Sequence, residues 1–329
     1  MSGQESLRAL PSIEVRHLSK SFDGVRAVRG ISFSVGDGEL FGFLGPNGAG
    51  KTTTINMLTG LARPDGGIVR LGGIDCSRNP KGAQHLVGVV PDESNLYPEL
   101  TGFENLVFCG ALYGMPRKQR QERARALLDR FGLSEAAHRA FAGYSKGMRR
   151  KLTIAAGFIH DPSILFLDEP TSGIDVASAR QIRQMIDELN TSGTTIFLTT
   201  HYIEEAERLC DRIAFIVSGE LVKVDTLEAL MEGYQRDQMM RFAVSDNGRR
   251  LCEALERAYP DLSCYAESET AIYIRSSKSI RVGPVVRILE EEGAEIFEAR
   301  KILPSLEEVF VEITGIEATA LRRENGGEN

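Results

Sequence analysis

Apolar residues along the chain follow two rhythms. Residues 13–18 (IEVRHL) and 30–36 (GISFSVG) alternate loosely between apolar and polar, predicting two strands with a turn in SFDGVRAV between them. The run ELFGFLG at 39–45 is apolar until it stops at a glycine, and in PNGAGKTTTINMLTGL the apolar spacing lengthens toward a helix. Residues 80–160 are predicted to be mostly helical, in GFENLVFCGALYGM, RKQRQERARALLDRFGL and KGMRRKLTIAAGFIHD. Strands resume at SILFLD (163–168), TTIFLTT (194–200) and RIAFIVSG (212–219), with the helix VASARQIRQMIDELN between the first two. Strands alternating with helices in this way imply parallel pairing through crossovers, hence an α/β core.

Beyond GELVKVDT the rhythm changes. The helical LEALMEG is followed by MRFAVS, RRLCEALERAYP, the hairpin-like SCYAESETAIYIRSS, SIRVGPVVRILEEEG and AEIFEARKI, a β-α-β-β-α-β order that predicts a small α+β domain of ferredoxin-like type. SLEEVFVEITG closes it as a helix. The expected divisions are a disordered lead-in at 1–12, the α/β domain at 13–225, the accessory domain at 226–315 and a polar, disordered tail at 316–329.

Composition narrows the function classes. The chain has 329 residues, 42% hydrophobic and 26% charged, which suits a globular protein. With 39 basic against 46 acidic residues the net charge is −7, which argues against a protein that coats nucleic acid. The basic RKQRQERAR carries charges of both signs and suits a solvated helix face. No apolar stretch approaches the about 20 residues that span a bilayer, and MSGQESLRALPS lacks the basic-then-apolar form of a secretory signal. The five cysteines stand singly with no CxxC pair, and an odd count fits a disulfide framework poorly, so packed, reduced thiols are expected.

Candidate chemistry begins at GPNGAGKT (45–52), which fits G-x-x-x-x-G-K-[ST] with a strand before it and a helix after. Its glycines let successive backbone N–H groups turn inward around phosphate oxygens, and the helix beginning near Lys51 adds its positive end. Lys51 reaches the β- and γ-phosphates, and the Thr52 hydroxyl can ligate Mg²⁺. A second feature then makes sense. ILFLDEPTSGID (164–175) ends an apolar strand in two adjacent carboxylates, and a buried charge is expensive unless paired. In P-loop proteins a strand ending in Asp lies beside the phosphate loop and holds the metal, which assigns Asp168 to Mg²⁺. Glu169, one residue on, is expected to point the other way along the pleat and face an attacking water as general base.

YSKGMRRKLTIA (144–155), SGID (172–175) and TTHYIEEAERLCDR (199–212) complete the set, and with the phosphate loop they resemble the ATP-binding subunit of an ABC transporter over residues 13–225. The resemblance implies an ABC-type P-loop ATPase with a mixed sheet and a helical subdomain at about 80–160. Carried over residue by residue, it implies that ATP is held by Phe22, stacked on adenine, and by the loop Gly45, Pro46, Asn47, Gly48, Ala49, Gly50, Lys51, Thr52 and Thr53. It implies that Asp168 is associated with the metal, Glu169 is the base and His201 contacts the γ-phosphate. Ser145, Lys146, Gly147 and Met148 then form the signature that touches ATP held by a partner subunit; Ser145 is a good N-cap, and Gly147 lets backbone approach an anion. Ser172, Gly173 and Asp175 belong to the loop that crosses to that partner. Two chains sandwich two nucleotides, a second copy of this chain being favoured over a related subunit.

The chain departs from the family pattern twice. The usual LSGGQ is Tyr144, Ser145, Lys146, Gly147, Met148, a variant similar to drug- and polymer-exporter subunits. Where the family usually places a metal-touching glutamine after VGVVP, this chain has Asp92, whose carboxylate can still ligate Mg²⁺. Residues 226–315, ending in LPSLEEVFVEITG, resemble the C-terminal extension of exporter-type subunits, mainly through that last helix. The expected protein is therefore an ATPase at the cytoplasmic face of the cell membrane, attached through a separately encoded membrane-spanning permease and coupling hydrolysis to export, with ATP and Mg²⁺ as cofactors and no nucleic-acid partner. The alternatives are an importer subunit, which YSKGM and the last helix disfavour, and a soluble ABC-type ATPase, which typically has two cassettes or a long coiled-coil insertion.

Overall fold

The computed structural model describes residues 10–232, 238–302 and 305–316. The expected lead-in up to residue 9 and the tail from residue 317 lie outside the described residues. The chain divides into two units: the first runs through Leu227 and resumes at Phe310, and the second covers Glu228–Val309.

In chain order the first unit holds β1 (Ile13–Phe22), β2 (Val25–Val35), β3 (Leu40–Leu44), α1 (Lys51–Leu58), β4 (Gly66–Leu71), β5 (Ile74–Asp75), α2 (Pro80–His85), β6 (Val87–Val90), α3 (Gly102–Leu112), α4 (Arg117–Arg130), α5 (Lys146–Gly157), β7 (Ile164–Asp168), α6 (Val176–Thr191), β8 (Thr195–Thr200), α7 (Ile203–Leu209), β9 (Arg212–Val217) and β10 (Glu220–Thr226). Two sheets form. A six-stranded sheet has the order β10-β9-β3-β8-β7-β6 and a four-stranded one the order β2-β1-β4-β5. In the first, β3, β6, β7, β8 and β9 pair in parallel and β10 is antiparallel to β9. Every residue of β3, β7 and β8 is buried, as expected of parallel strands covered on both faces. The second sheet is antiparallel throughout.

Phe33 of β2 packs among Phe41 and Phe43 of β3 and Phe197 of β8, with ring centroids 5.3–5.8 Å apart, and Phe166 of β7 lies 5.5 Å from Phe197. This aromatic cluster joins the two sheets into one core. Burying each such ring contributes about 1.5–3 kcal/mol, so the pair of sheets is a rigid base for whatever follows the parallel strands.

The first hairpin is tighter than the sequence predicts. Only Asp23 and Gly24 form the turn, at φ 47° and 85°, with Phe22 paired to Val25. An Asp-Gly pair with both φ positive gives the two-residue hairpin turn whose twist matches its strands, so β2 begins at Val25 rather than residue 30. Strands β4, β5 and β6 also interrupt a stretch whose apolar spacing gives little sign of them: β4 exposes Gly67 and Ile68, β5 is two residues long, and β6 is a four-residue, almost fully buried run.

The second unit contains most of α8 (Leu227–Glu232), then β11 (Gln238–Val244), α9 (Gly248–Ala258), β12 (Ser263–Ser268), β13 (Ala271–Ser276), α10 (Val282–Glu291) and β14 (Ile296–Ile302); α11 (Leu306–Thr314) begins in it and ends in the first unit. The sheet order β12-β13-β11-β14, all antiparallel, has the connectivity of a ferredoxin-like split. Its own core gathers Phe242, Leu251, Leu255, Ile272, Ile274 and Leu289. One expectation is corrected here. Cys252 of α9 and Cys264 of β12 form a disulfide, their Cα atoms 5.1 Å apart, because the crossover folds β12 back beside the helix that precedes it. Cys76, Cys109 and Cys210 are free.

Strand β6 and helix α5 approach each other closely. A Cβ added at Gly88 would lie 2.1 Å from the Gly157 carbonyl oxygen and 2.9 Å from Leu165. Backbone cannot yield as a side chain can. Gly88→Ala is expected to cost about 1–3 kcal/mol through overpacking, read as a lowered midpoint in thermal unfolding; an unchanged midpoint would show that α5 can retreat freely.

Candidate nucleotide site

Three neighbouring strands of the parallel sheet each deliver charged or titratable groups at their carboxyl ends. In the spatial order β3-β8-β7 these are Lys51, in the helix after β3; His201, just after β8; and the pair Asp168–Glu169, at the end of β7. The crevice beyond the carboxyl ends of parallel strands is where open α/β sheets bind ligands.

The glycine-rich loop has the backbone that its sequence requires. Gly48 and Gly50 sit at φ 76° and 101°, which side chains other than glycine rarely adopt. A Cβ on Gly45 would lie 2.1 Å from the Ile216 carbonyl oxygen, and one on Gly50 2.5 Å from that of Ala27, so the loop is pressed against the strands around it. The Gly45 N–H donates to the Thr200 carbonyl (3.3 Å), and the Ala49 carbonyl accepts from Gly219 N–H (3.0 Å). Asn47 and Gly48 are exposed at the tip, Pro46 is partly so, and Ala49 is buried. Helix α1 starts after Gly50 with no side-chain cap, which leaves its first amides for another acceptor. Thr52 is exposed and Thr53 half-buried in that first turn.

Lys51 is only 6% exposed. Its ammonium donates to the carbonyls of Gly45 (2.8 Å) and Pro46 (3.2 Å) and lies 3.2 Å from a Glu169 oxygen. The other Glu169 oxygen is 2.8 Å from Nδ1 of His201 and accepts the His201 backbone N–H at 3.3 Å. Burial alone would raise the Glu169 pKa, but His201 and Lys51 outweigh it and hold the carboxyl below its ordinary value. Asp168 is also buried, and one of its oxygens accepts the Thr199 hydroxyl.

Glu169 does not lie on the pleat of β7 as the sequence predicts. It has turned into the left-handed region at φ 47°, where a side chain other than glycine costs free energy and persists only if its surroundings impose it. Its N–H donates to the Thr199 carbonyl (3.1 Å) while its carboxylate swings toward Lys51 and His201. The turn, rather than strand alternation, separates the aims of the two acids.

The remaining expected residues are not drawn into this cluster by any hydrogen bond or ion pair among the described residues. Phe22 is 49% exposed, with the Lys20 ammonium 5.2 Å above its ring. Ser145 caps α5, accepting from Met148 N–H (3.3 Å), and both Ser145 and Lys146 are exposed. Gly147 packs where a Cβ would meet the Ser178 hydroxyl at 2.4 Å, which fixes the start of α5 against that of α6. Asp175 caps α6 through Ser178 N–H (2.9 Å); these backbone bonds depress its pKa. Ser172 and the exposed Gly173, at φ 61°, lie between, and a Cβ on Gly173 would meet the Lys146 ammonium. Asp92 is exposed to solvent on one side. Burial raises its pKa, the nearby charge of Arg150 lowers it, and Asp168 and Glu169 push it up again.

Two residues escape sequence reading. Arg150 is buried on α5 and donates to backbone on both sides of Glu169. Glu205 of α7 is buried, accepts the Thr171 hydroxyl at 2.7 Å, and has its pKa raised by burial. The signal for Arg150 is its spacing: Gly147, Arg150, Ile154 and Gly157 fall on one helical face, and the other three are buried.

A family model described as "ABC transporter" matches residues 28–172. The linearmycin resistance ATP-binding protein of Bacillus subtilis (strain 168) is 36% identical over 306 residues, covering 92% of this chain and 98% of that protein. The daunorubicin/doxorubicin resistance ATP-binding protein of Streptomyces peucetius is 38% identical, covering 92% of each. Among solved structures, an ATP-binding subunit of an ABC transporter superposes with a TM-score of 0.62 at 30% identity, over 68% of this chain and 92% of that one. A dimeric ATP-binding cassette in a post-hydrolysis state with ADP and Pi gives 0.60 at 25% identity, over 65% of this chain and 98% of that one. A glycine loop, a buried acid pair and a histidine on three adjacent strands thus occur in a chain that belongs to the family of ABC transporter ATP-binding proteins.

Proposed function

We propose that Glu169 is the general base of ATP hydrolysis in this subunit, and that hydrolysis drives export through a permease encoded separately. The chain is an ATP-binding, ATP-hydrolysing ABC subunit of the exporter type, a class that dimerises and works with membrane permeases. The observation that carries the base assignment is the buried Glu169 carboxylate, ionised by its neighbours and aimed between Lys51 and His201. A carboxylate so placed can accept the proton of an attacking water. Export is supported by the resistance and export names of full-length relatives, including the Nod factor export ATP-binding protein I of Ralstonia nicotianae. No helix among the described residues is long and apolar enough to cross a membrane. We assign the subunit to the cytoplasmic face, held there by the permease, and its partner cassette to a second copy of the same chain.

Each residue has a defined task in this reading. The amides of Gly45 to Thr53 wrap the phosphates, Lys51 brings a fixed positive charge to the β- and γ-phosphates, and Phe22 offers an exposed ring to the base. His201 orients Glu169 and the γ-phosphate end. Lys51 lies 3.2 Å from Glu169, so phosphates that bind the lysine compete with that carboxylate for it. Ser145, Lys146, Gly147 and Met148, with Ser172, Gly173 and Asp175, face the partner's nucleotide. Asp168, Asp92 and the exposed Thr52 hydroxyl supply hard oxygen donors that suit Mg²⁺, and no group of three or more His, Cys, Asp or Glu among the described residues forms a cage by itself. That fits an ion that keeps waters and relies on substrate phosphates. When bound, Mg²⁺ neutralises charge on the transferred phosphoryl group.

Glu169→Gln is expected to bind ATP and dimerise while hydrolysis falls by about 10²–10⁴-fold, the contribution typical of a general base; a steady-state rate equal to the parent's would remove the assignment. Asp92→Gln is expected to retain ATPase activity and change the ATP hydrolysed per substrate moved, measured in vesicles containing the permease. An unaltered ratio would separate Asp92 from coupling.

A further inference from the structure

Arg150 is 6% exposed, and arginine is almost never so buried unless its donors are met. Burial works against its charge, while Asp92, Asp168, Glu205 and Glu169 favour it. Its hydrogen bonds go to backbone. Nε donates to the Pro170 carbonyl at 2.9 Å and one terminal nitrogen donates to the Asp168 carbonyl. The other terminal nitrogen donates to the carbonyls of Pro91 and, at 2.9 Å, Asp92. The first two acceptors belong to the residues immediately before and after Glu169, the residue held at φ 47°. A planar guanidinium with donors in a fixed fork is suited to span two such carbonyls; an ammonium is a single point.

We infer that Arg150 is a positioning residue: its fork braces the backbone on both sides of Glu169 in the left-handed turn that aims the carboxylate at Lys51 and His201, and it ties that turn to the Pro91–Asp92 segment. The inference rests on the reading of Glu169 as base. A space-filling residue at this place on α5 would need no guanidinium, and a guanidinium serving only as a counter-charge would face carboxylate oxygens rather than four carbonyls on two separate segments. The brace also gives the turn a reason to persist, since the left-handed conformation is not one glutamate adopts unaided. Movement at Pro91–Asp92 then reaches Glu169 through one side chain.

The test compares Arg150→Gln and Arg150→Lys with the parent and with Glu169→Gln. Steady-state hydrolysis, affinity for a fluorescent ATP analogue, thermal midpoint and amide hydrogen exchange are measured on the full chain. Arg150→Gln is expected to lower kcat by about ten-fold or more, in line with the cost of misplacing a catalytic group by a fraction of an ångström to an ångström. KM and analogue affinity should stay within about two-fold, because the Lys51 loop makes its own hydrogen bonds. Exchange should rise in segments 91–97 and 169–173 together. Arg150→Lys is expected to recover only part of kcat, and it carries the comparison if the glutamine variant does not fold. A parental kcat in Arg150→Gln beside an inactive Glu169→Gln overturns the brace. So does a uniform loss of kcat, affinity and thermal midpoint, or full recovery by lysine. Exchange that rises in one segment alone overturns the tie. An active Glu169→Gln refutes the base reading instead, and the paired exchange response still decides whether Arg150 links the two segments.

Discussion

A lysine ammonium and a glutamate carboxylate meet at 3.2 Å in a recess where each side chain is at most 10% exposed. Two charges in so little water lose several kcal/mol each of hydration, so their surroundings must compensate. The compensation explains much of the architecture. Lys51 is also held by two loop carbonyls, Glu169 by His201, and Asp168 by Thr199. Those partners are delivered by β3, β8 and β7, which are adjacent in the sheet although β8 comes late in the sequence. The all-buried strands and the phenylalanine cluster behind them keep the three chain ends in register, and a phosphate loop with no room for Cβ atoms at Gly45 or Gly50 completes the recess.

How much of this was legible depends on how local the cause is. The phosphate loop is written in consecutive residues, and so is the acid pair, because four apolar residues ending in two carboxylates is anomalous in any buried strand. The β-α-β-β-α-β order after residue 226 is legible for the same reason, since each element carries its own periodicity. The turn at Glu169 is not, because its φ is imposed from α5 and β8. Arg150 is hidden in a run of basic residues where only its helical phase marks it as inward. The Cys252–Cys264 pair depends on the path of the hairpin at β12, which single cysteine positions do not encode. Strand β4 is obscure because one of its faces is open, so the apolar signal is halved.

The two units use their apolar residues differently. The first buries continuous runs between layers, the second a single face of an antiparallel sheet under α9 and α10. Strands β12 and β14 are exposed along most of their lengths, whereas β13 and β11 supply the inward residues Ile272, Ile274, Phe242 and Val244. The outer strands thus act as edges around a two-strand centre, a layout in which polar edge residues limit unwanted strand pairing.

The contact between Gly147 and Ser178 has an evolutionary side. The starts of α5 and α6 approach so closely that a methyl at one position collides with a hydroxyl at the other. Position 147 is then not free to grow alone: a larger residue there requires that 178 has already shrunk, an order that passes through a cavity, whereas the reverse order passes through a clash. Sterically the two sites are coupled, with a preferred order of change, although they start two helices that the sequence separates by some thirty residues.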